Sequence, residues 1–274
     1  MPKFLRICAD DYGLAPGVSQ AIREVIAARR INATSVMTLF ADLPAEAERL
    51  SPVTADGATS VGLHLTLTGG FRPLCAVPFG EGTLPNLSRL IRRAFQGRLD
   101  QGALAAEVDA QFSAFTAAFG RPPDHVDGHQ HVHVLPGIRS IVLDATRRHA
   151  PQAFVRDCTP APGARQGFDA KGRLIGAFSL RMARDAARAG LAVNTGFAGV
   201  YDFAAGVDFA SLLARALVAL PDGGLLMVHP GRVDNVLMVR DPLTDPRAVE
   251  LAVLHGPLLP TLLSQADASL TRGA

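Results

Sequence analysis

FLRICADDYG, residues 4–13, is an apolar run that ends abruptly in two acids, Asp10 and Asp11. Short continuous apolar runs are typical of strands that are buried on both faces of a parallel sheet. Ligand-binding groups in such sheets come from the carboxyl ends of the strands. The stretch therefore predicts a buried first strand that delivers two carboxylates to a site.

Strand and helix patterns alternate along the rest of the chain. Helical spacing of apolar residues over 18–30 completes the first βα unit. Further strands are predicted at 32–39, 60–67, 127–133, 153–156, 191–200 and 224–229, and further helices at 45–50, 103–119, 138–148, 178–189, 209–220 and 246–255. About seven βα units without a glycine-rich phosphate motif favour a closed or nearly closed barrel over an open doubly wound sheet. We therefore predict an α/β fold in which the whole chain, 1–274, is a single-domain irregular (β/α) TIM-like barrel.

Residues 68–102 interrupt the alternation with glycine, proline and arginine. A long excursion in a compact enzyme is more often a functional loop than a linker, although a disordered insertion is the alternative. We predict a lid or insertion here that sets the length of the substrate.

Composition narrows the classes of protein to consider. The chain has 274 residues, 48% of them hydrophobic, and a formal net charge of +2, which gives no support to nucleic acid or an anionic membrane as partner. Cys8, Cys75 and Cys158 are widely spaced, which favours buried thiols over a disulfide framework or a zinc–thiolate site. Neither a signal-peptide pattern nor an apolar run of about 18 residues occurs. We expect a cytoplasmic protein without a membrane span, with a homodimer left open.

Three histidines alternate in DGHQHVH, residues 127–133. In an extended backbone His129, His131 and His133 would share one face with Asp127. Imidazole is a common ligand of divalent metals such as zinc, and a ligating histidine usually needs a carboxylate or carbonyl on its other ring nitrogen. The pattern predicts a bound divalent metal; a loop-borne histidine cluster without a ligand is the alternative.

Four predicted strands carry ionisable residues at or near their carboxyl ends. These are Asp10 and Asp11 after the first, His64 in the third, residues 127–133 in the fourth and His229 after the last. In a parallel barrel these ends open on one rim, so we expect the side chains to meet. Two adjacent acids in a strand point different ways, so that one can ligate a metal while the other accepts a proton. This set predicts metal-assisted hydrolysis.

Four stretches resemble the signature blocks of the YdjC-like carbohydrate deacetylases, in the order of that family. They are ADDYGL at 9–14, GLHLTLT at 62–68, DGHQHVH at 127–133 and VHPG at 228–231, and the resemblance runs from about residue 4 to residue 255. Gly128 stands where the family often has Ser, and Tyr12 where Phe is usual. Neither residue is a proposed ligand, so these departures concern only the shape of the rim.

The resemblance implies an enzyme that uses one divalent metal ion, Zn or Mg, to remove the N-acetyl group from an acetamido sugar. The sugar would be a chitooligosaccharide or another N-acetylglucosamine-containing glycan. By motif position, Asp11, His64 and His129 would be the metal ligands, Asp10 the general base and His229 the general acid. Adjacent acids can exchange roles, so which of Asp10 and Asp11 ligates the metal stays open.

Five further residues are predicted to bind substrate or to support the ligands. Asp127 is expected to orient a histidine, His131 and His133 to line the sugar cleft or to lie behind the ligands, and Arg156 and Asn194 to bind sugar hydroxyls or the oxyanion. Ordinary hydrogen bonding at the rim is the alternative for Arg156 and Asn194.

Other functions stay open at this point. They are deacetylation of an N-acetylglucosaminyl hopanoid lipid, another metal-dependent barrel hydrolase acting on an ester, lactam or phosphate, and a sugar- or metal-binding protein without turnover. A soluble sugar is preferred because the histidine block of the relatives that act on hopanoids tends to differ. Turnover is preferred because a closed structural metal site normally uses four protein ligands.

Overall fold

The computed structural model describes residues 1–74, 82–162, 170–203 and 206–271. For residues 170–172 it describes only the backbone. The described residues form a single α/β domain with these elements in chain order: β1 (Lys3–Tyr12), α1 (Pro16–Ala27), β2 (Ala33–Val36), α2 (Leu43–Thr54), β3 (Ser60–Leu65), α3 (Leu87–Phe95), α4 (Gln101–Phe119), β4 (His125–Gly128), a 3₁₀ helix (His129–Val134), α5 (Ile138–His149), β5 (Phe154–Val155), α6 (Ala170–Ser179), α7 (Met182–Arg188), β6 (Ala192–Val193), β7 (Phe197–Ala198), α8 (Phe209–Ala219), β8 (Gly224–Val228), α9 (Asn235–Arg240), α10 (Asp245–His255), α11 (Leu258–Gln265) and β9 (Ala268–Ser269).

The sheet is parallel and curls into an almost closed barrel. Its strand order is β6-β5-β4-β3-β2-β1-β8-β7, with β9 beside β1. β6 and β7 lie at opposite ends of this order, although only residues 194–196 connect them. So short a connection can join the two edges only if the sheet curls until they lie close together. The predicted irregular (β/α) barrel is confirmed.

β1 is an interior strand of the sheet and is buried, as its apolar run predicts. It pairs in parallel with β2 on one side and β8 on the other, and Leu5, Ile7 and Ala9 are fully buried. Helix α1 then packs its apolar face, which includes Val18 and Ile22, against the core. Each side chain of this size contributes about 1.5–3 kcal/mol when fully buried. This packing fixes where the acids at the end of β1 lie.

Two predicted elements are interrupted in the structure. The strand predicted at 191–200 divides into β6 and β7 because the chain bends between them. There the Asn194 side chain donates to the Gly196 carbonyl, and Gly196 has a φ of 136° that favours glycine. The helix predicted at 178–189 is wrong as a single element, since α6 ends at Ser179 and α7 begins at Met182. The hydroxyl of Ser179 donates to the Asp157 carboxylate at this break.

The histidine segment is not the extended strand that its alternation predicts. β4 ends at Gly128, and residues 129–134 form a 3₁₀ helix in which Gln130 and His131 have left-handed backbone angles. The prediction that His129, His131 and His133 share one strand face is therefore wrong. Side-chain alternation did not reveal a turn that depends on contacts from other strands.

Part of the predicted lid or insertion at 68–102, residues 75–81, lies outside the described residues. The described remainder contains α3 and is packed onto the core through Leu84 and Leu90, which are buried. Its role as a lid stays a prediction. None of the helices in the described part of the chain is both long and apolar enough to cross a membrane.

Candidate metal centre and active site

A β-bulge at the end of β1 turns both acids toward one cavity. The register between β1 and β2 is regular to Ala9 but shifts before Tyr12, and Asp11 has a left-handed φ of 67°. Neighbours in a regular strand point to opposite faces, whereas a bulge re-aims a side chain. Asp10 and Asp11 consequently line the same cavity, while their carboxylates have different partners, Arg156 for Asp10 and Arg247 for Asp11.

Three predicted ligands meet at the carboxyl ends of β1, β3 and β4. Asp11 Oδ1 lies 3.1 Å from His64 Nε2 and 3.0 Å from His129 Nδ1. Each residue offers one ligand atom, and these three atoms all lie within 4.8 Å of one another. A carboxylate and two imidazoles suit zinc and are accepted by other divalent ions. The three donors therefore fit a divalent cation and leave coordination positions for other groups.

A left-handed turn directly after β4 carries His129 into this cluster. Gln130 has a φ of 53° and His131 a φ of 59°, a conformation that costs an L-residue other than glycine about 1–2 kcal/mol. Such strain persists only where the surroundings hold it, and it concentrates at functional sites. The turn places His129 beside Asp11 and His131 on the wall of the same cavity.

The other two histidines of the motif have protein partners below the cluster. His131 Nδ1 lies 3.4 Å from Cys158 Sγ, and His133 Nε2 lies 3.0 Å from the backbone carbonyl oxygen of Arg156. Burial lowers the pKa of His133 to about 4 and that of His131 well below its usual range. Both imidazoles are therefore neutral at pH 7, which suits them to support the site rather than to carry charge.

Asp127 orients His64, as the sequence predicts for a partner of a histidine. Asp127 Oδ1 lies 2.6 Å from His64 Nδ1, which leaves Nε2 directed at Asp11. Burial alone would lower the pKa of His64, but the nearby carboxylates of Asp127 and Asp10 outweigh it and raise the pKa to about 10. A carboxylate behind a ligating imidazole is the usual arrangement in metal sites.

Asp10 is held by Arg156 rather than by a histidine. Nη1 and Nη2 of Arg156 each donate to one Asp10 oxygen at 2.6 Å, and Nη2 also lies 2.5 Å from Asp127 Oδ2. Burial would raise the pKa of the Asp10 carboxyl, but the Arg156 guanidinium overrides it and lowers the pKa below its usual range. Asp10 is therefore ionised across the physiological range.

The second oxygen of Asp11 is bound by a buried arginine on α10. Arg247 Nη2 lies 2.6 Å from Asp11 Oδ2 and 2.5 Å from Asp241 Oδ2. Burial alone would raise the pKa of the Asp11 carboxyl, but Arg247 and His129 hold that pKa well below the usual range. Arg247 thereby leaves Oδ1 directed at the two imidazoles.

His229 follows β8 and lines the same cavity as the cluster. Its backbone N–H donates to Glu250 Oε2 at 2.5 Å, and its ring packs edge to face on Phe203 at 5.4 Å between centroids. Burial lowers the pKa of His229 to about 4, although the carboxylate of Asp11 acts in the opposite direction. His229 is therefore neutral at pH 7 in this state of the site.

The described residues enclose a cavity of about 340 Å³ over these groups. Polar side chains lie at its base, and its walls include the side chains of Ile175, Val200, Tyr201, Phe203, Met227 and Leu243. A larger cavity of about 960 Å³ lies at the amino ends of the strands and is lined by residues such as Arg6, Ser60 and Phe154. The smaller cavity is the candidate site because the predicted ligands line it.

Two predicted contacts with substrate have protein partners instead. Arg156 is fully buried against Asp10 and Asp127. The Asn194 side chain accepts from the Asp157 N–H and donates to the carbonyls of Asp157 and Gly196. Neither side chain is among the described residues that line the cavity. In this structure both support the barrel around the site.

Cys8, His125 and Asp127 form another group of metal-type ligands inside the barrel. Cys8 Sγ lies 3.6 Å from His125 Nε2. Burial raises the pKa of the Cys8 thiol well above its usual range, and Arg156 already contacts the Asp127 carboxylate. A protonated thiol beside a guanidinium disfavours a second cation there. Cys8 and Cys158 are buried and free, as predicted, whereas Cys75 lies outside the described residues.

Sequence reasoning missed Arg247, Glu250 and Tyr201. Arg247 and Glu250 are buried charges one helical turn apart on α10, in a segment that reads as an ordinary amphipathic helix. Arg247 contacts a partner 236 residues away in the chain. Spacing within a helix gives no signal for such a contact.

The fold and the site together define a (β/α) barrel with a candidate divalent-metal centre and an acid–histidine cavity at the carboxyl ends of its strands. The chain belongs to the YdjC-like family, whose model matches residues 4–265. Chitooligosaccharide deacetylases of Yersinia pestis (strain Pestoides F) and Yersinia pseudotuberculosis serotype O:1b are each 32% identical over 267 residues, which cover 97% of this chain and 96% of the relative.

Solved structures agree on the fold. A protein of Enterococcus faecalis V583, provisionally named a cellobiose-phosphate cleavage protein, matches with a TM-score of 0.75 and 21% identity over 99% of this chain and 97% of its own. A CE4 esterase of Streptococcus mutans matches with a TM-score of 0.50 and 11% identity over 96% of this chain and 83% of its own. At these identities the likeness concerns the fold alone.

Proposed function

We propose that this chain is a metal-dependent hydrolase that removes the N-acetyl group from an acetamido sugar, such as a chitooligosaccharide or another N-acetylglucosamine-containing glycan. The observation that carries the proposal is the meeting of Asp11, His64 and His129 within 4.8 Å, beside Asp10 and His229 in one cavity. Relatives that match 97% of the chain and bear the name chitooligosaccharide deacetylase support the substrate class.

Asp11, His64 and His129 would hold one divalent ion, Zn or Mg. Asp11 is preferred to Asp10 as ligand because Asp11 Oδ1 faces both imidazoles, whereas both Asp10 oxygens accept from Arg156. A cation bound there supplies Lewis-acid polarisation of the acetyl carbonyl and acidifies water. Three protein ligands leave room for water and substrate, as catalytic sites require.

Asp10 is proposed as the general base. It lines the cavity next to Asp11 and is ionised, so its carboxylate can accept a proton from the attacking water, although the Arg156 guanidinium that lowers its pKa also weakens it as a base. Arg156 is proposed to hold its carboxylate in place, which corresponds to a supporting role rather than to sugar binding. Positioned proton transfer of this kind typically contributes about 10²–10⁴-fold to the rate.

His229 is proposed to deliver a proton to the departing nitrogen. Because its pKa is lowered to about 4, His229 starts neutral at pH 7 and must gain a proton during the reaction. The proton that leaves water at Asp10, in the same cavity, is its proposed source. No net proton then has to come from solvent before the carbon–nitrogen bond breaks.

The remaining residues are proposed to support the ligands and shape the cavity. Asp127 orients His64, His131 and His133 lie behind the turn that carries His129, and Asn194 holds the seam between β6 and β7. The aromatic ring of Phe203 on the cavity wall offers an apolar surface to the face of a sugar ring. The segment at 68–102 is proposed to limit chain length.

Acetate release tests the proposal. The purified chain is stripped of metal, resupplied with zinc, magnesium or cobalt, and incubated with N-acetylglucosamine and its short β-1,4 oligomers. Metal-dependent release of acetate from one of these sugars is expected. Absence of release with every metal, in protein that calorimetry shows to bind one, would refute deacetylation of these sugars and direct attention to other acyl substrates.

A further inference from the structure

Glu250 connects the end of β8 to the wall of the cavity. This carboxylate on α10 is fully buried. Its Oε2 accepts from the backbone N–H of His229 at 2.5 Å, and its Oε1 accepts from the hydroxyl of Tyr201 at 2.7 Å. One side chain therefore joins two segments that both line the cavity.

Aromatic contacts link the same two segments, those of Tyr201 and His229, a second time. Tyr201 packs on Phe203 at 4.2 Å between ring centroids, and Phe203 meets the His229 imidazole edge to face at 5.4 Å. The ring of His229 is thus held on one side by Phe203, while its backbone is held by Glu250. Glu250, Tyr201, Phe203 and His229 therefore form one connected set of contacts.

The hydrogen bonding of the His229 ring shows why these contacts around Glu250 are important. In the described part of the structure its Nδ1 is buried without a hydrogen-bond partner. A histidine in an acid–base site is commonly oriented through such a bond by a third group. Here the ring packs edge to face on Phe203, and the backbone of His229 is bound by Glu250 instead.

We infer that Glu250 is a positioning residue, which orients His229 and fixes the Tyr201–Phe203 wall against the substrate. Because the role of His229 belongs to the proposed function, this role of Glu250 rests on it. A displacement of about 1 Å at a reacting group lowers a rate by up to about 100-fold. Loss of the carboxyl is therefore expected to affect turnover more than substrate binding.

The test compares E250A with E250Q. Glutamine has the same shape, and its carbonyl can accept from the His229 N–H while its amide donates to the Tyr201 oxygen. We expect E250A to lower kcat about 10- to 100-fold with a smaller change in KM. E250Q is expected to restore kcat to within a few-fold of the parent. An E250A variant with the parent kcat, or an E250Q variant as slow as E250A, would overturn the inference.

A matched variant separates positioning from stability. Glu46 is also a buried carboxylate, but it lies on α2 and pairs with Arg23 and Arg49 at 2.6 Å. We expect E46A to lower the melting temperature without the selective loss of kcat. If E46A and E250A reduce kcat equally at equal loss of melting temperature, Glu250 has only a structural role.

An NMR readout tests the contact without relying on activity. The backbone amide proton of His229 donates to Glu250 at 2.5 Å. Burial raises the pKa of Glu250 to about 7, so the spectrum is recorded above pH 8, where the group is ionised and its charge-assisted bond is short and strong. We expect this resonance to lie downfield in the parent and to move upfield in E250Q. An unmoved resonance refutes the contact. A parent protein that shows the resonance but deacetylates no sugar refutes the proposed function instead.

Discussion

Arg247 Nη2 lies 2.6 Å from Asp11 Oδ2, so a fully buried guanidinium neutralises a candidate metal ligand. The same nitrogen contacts Asp241, which follows α9, so that Arg247 joins α10 both to the end of β1 and to the end of α9. Arg247 stands on the opposite side of Asp11 from the imidazoles. The carboxylate is thus held in place before any cation arrives.

Replacing Arg247 by methionine is expected to lower the free energy of unfolding of the metal-free protein by about 3–5 kcal/mol. The reason is that it leaves the buried carboxylate of Asp11 without its guanidinium partner, with only the imidazoles of His64 and His129 beside it. Urea unfolding in the presence of a chelator measures the change. The exposed pair of Arg232 with Glu24 at 2.7 Å provides the control, since R232M should cost about 1 kcal/mol or less. Equal losses in the two variants would contradict the importance of the buried pair.

Metal binding is expected to release a proton from His64. Its pKa of about 10 in the metal-free site means that His64 is protonated at pH 8, and a metal accepts only the neutral imidazole. Affinity should therefore rise about tenfold per pH unit as pH increases toward 10. Calorimetry in buffers of different ionisation enthalpy counts the protons. The D127N variant tests the direction of this effect. It removes a carboxylate that raises the pKa of His64, so it should reduce the number of protons released on metal binding at pH 8.

The raised pKa of His64 also predicts how the stability of the metal-free protein depends on pH. A group whose pKa is raised on folding stabilises the folded state below its unfolded value, about 6.5, and loses that contribution as pH rises through the folded value. For His64 the folded value is about 10. Between pH 7 and pH 10 the metal-free protein should lose stability that H64N does not lose. If the free energy of unfolding changes with pH in the same way in the parent and in H64N, the raised pKa of His64 is contradicted.

His129 and His131 give a matched pair of substitutions within one turn. His129 contacts Asp11 in the cluster, whereas His131 contacts Cys158. H129A is expected to weaken metal binding more than about 100-fold, which exceeds typical outer-sphere effects of about 10–100-fold. H131A should retain metal binding within about tenfold. Metal titration of both variants checks this, and a stronger loss in H131A would reassign the ligand.

The pH profile and replacement of His229 test its proposed role. Since its pKa is lowered to about 4, a requirement for its charged form in the free enzyme would make kcat/KM fall tenfold per unit above pH 4. We expect no such fall between pH 5 and pH 8, because His229 gains its proton during turnover. H229A should lower kcat about 10²–10⁴-fold and leave metal content intact. A full rate in H229A would exclude His229 as proton donor.

The alternation of apolar strands and amphipathic helices determined the barrel. Because a strand such as β1 is buried on both faces, its sequence alone shows where it lies and which acids stand at its carboxyl end. The parallel arrangement then brings Asp11, His64 and His129 to one end of the barrel from three separate strands. Local periodicity and topology were sufficient to predict that these strand ends converge, whereas the choice of Asp11, His64 and His129 as ligands came from the resemblance to the YdjC-like family.

Tertiary structure decided how those residues are aimed. The bulge that turns Asp10 and Asp11 to one cavity and the left-handed turn at Gln130 both depart from the regular strand that their sequences favour. Such backbone is stable only when surrounding contacts hold it. The buried partners Arg156 and Arg247 contact their acids across 146 and 236 residues of chain. Periodicity within a segment carries no information about contacts that only the closed barrel creates.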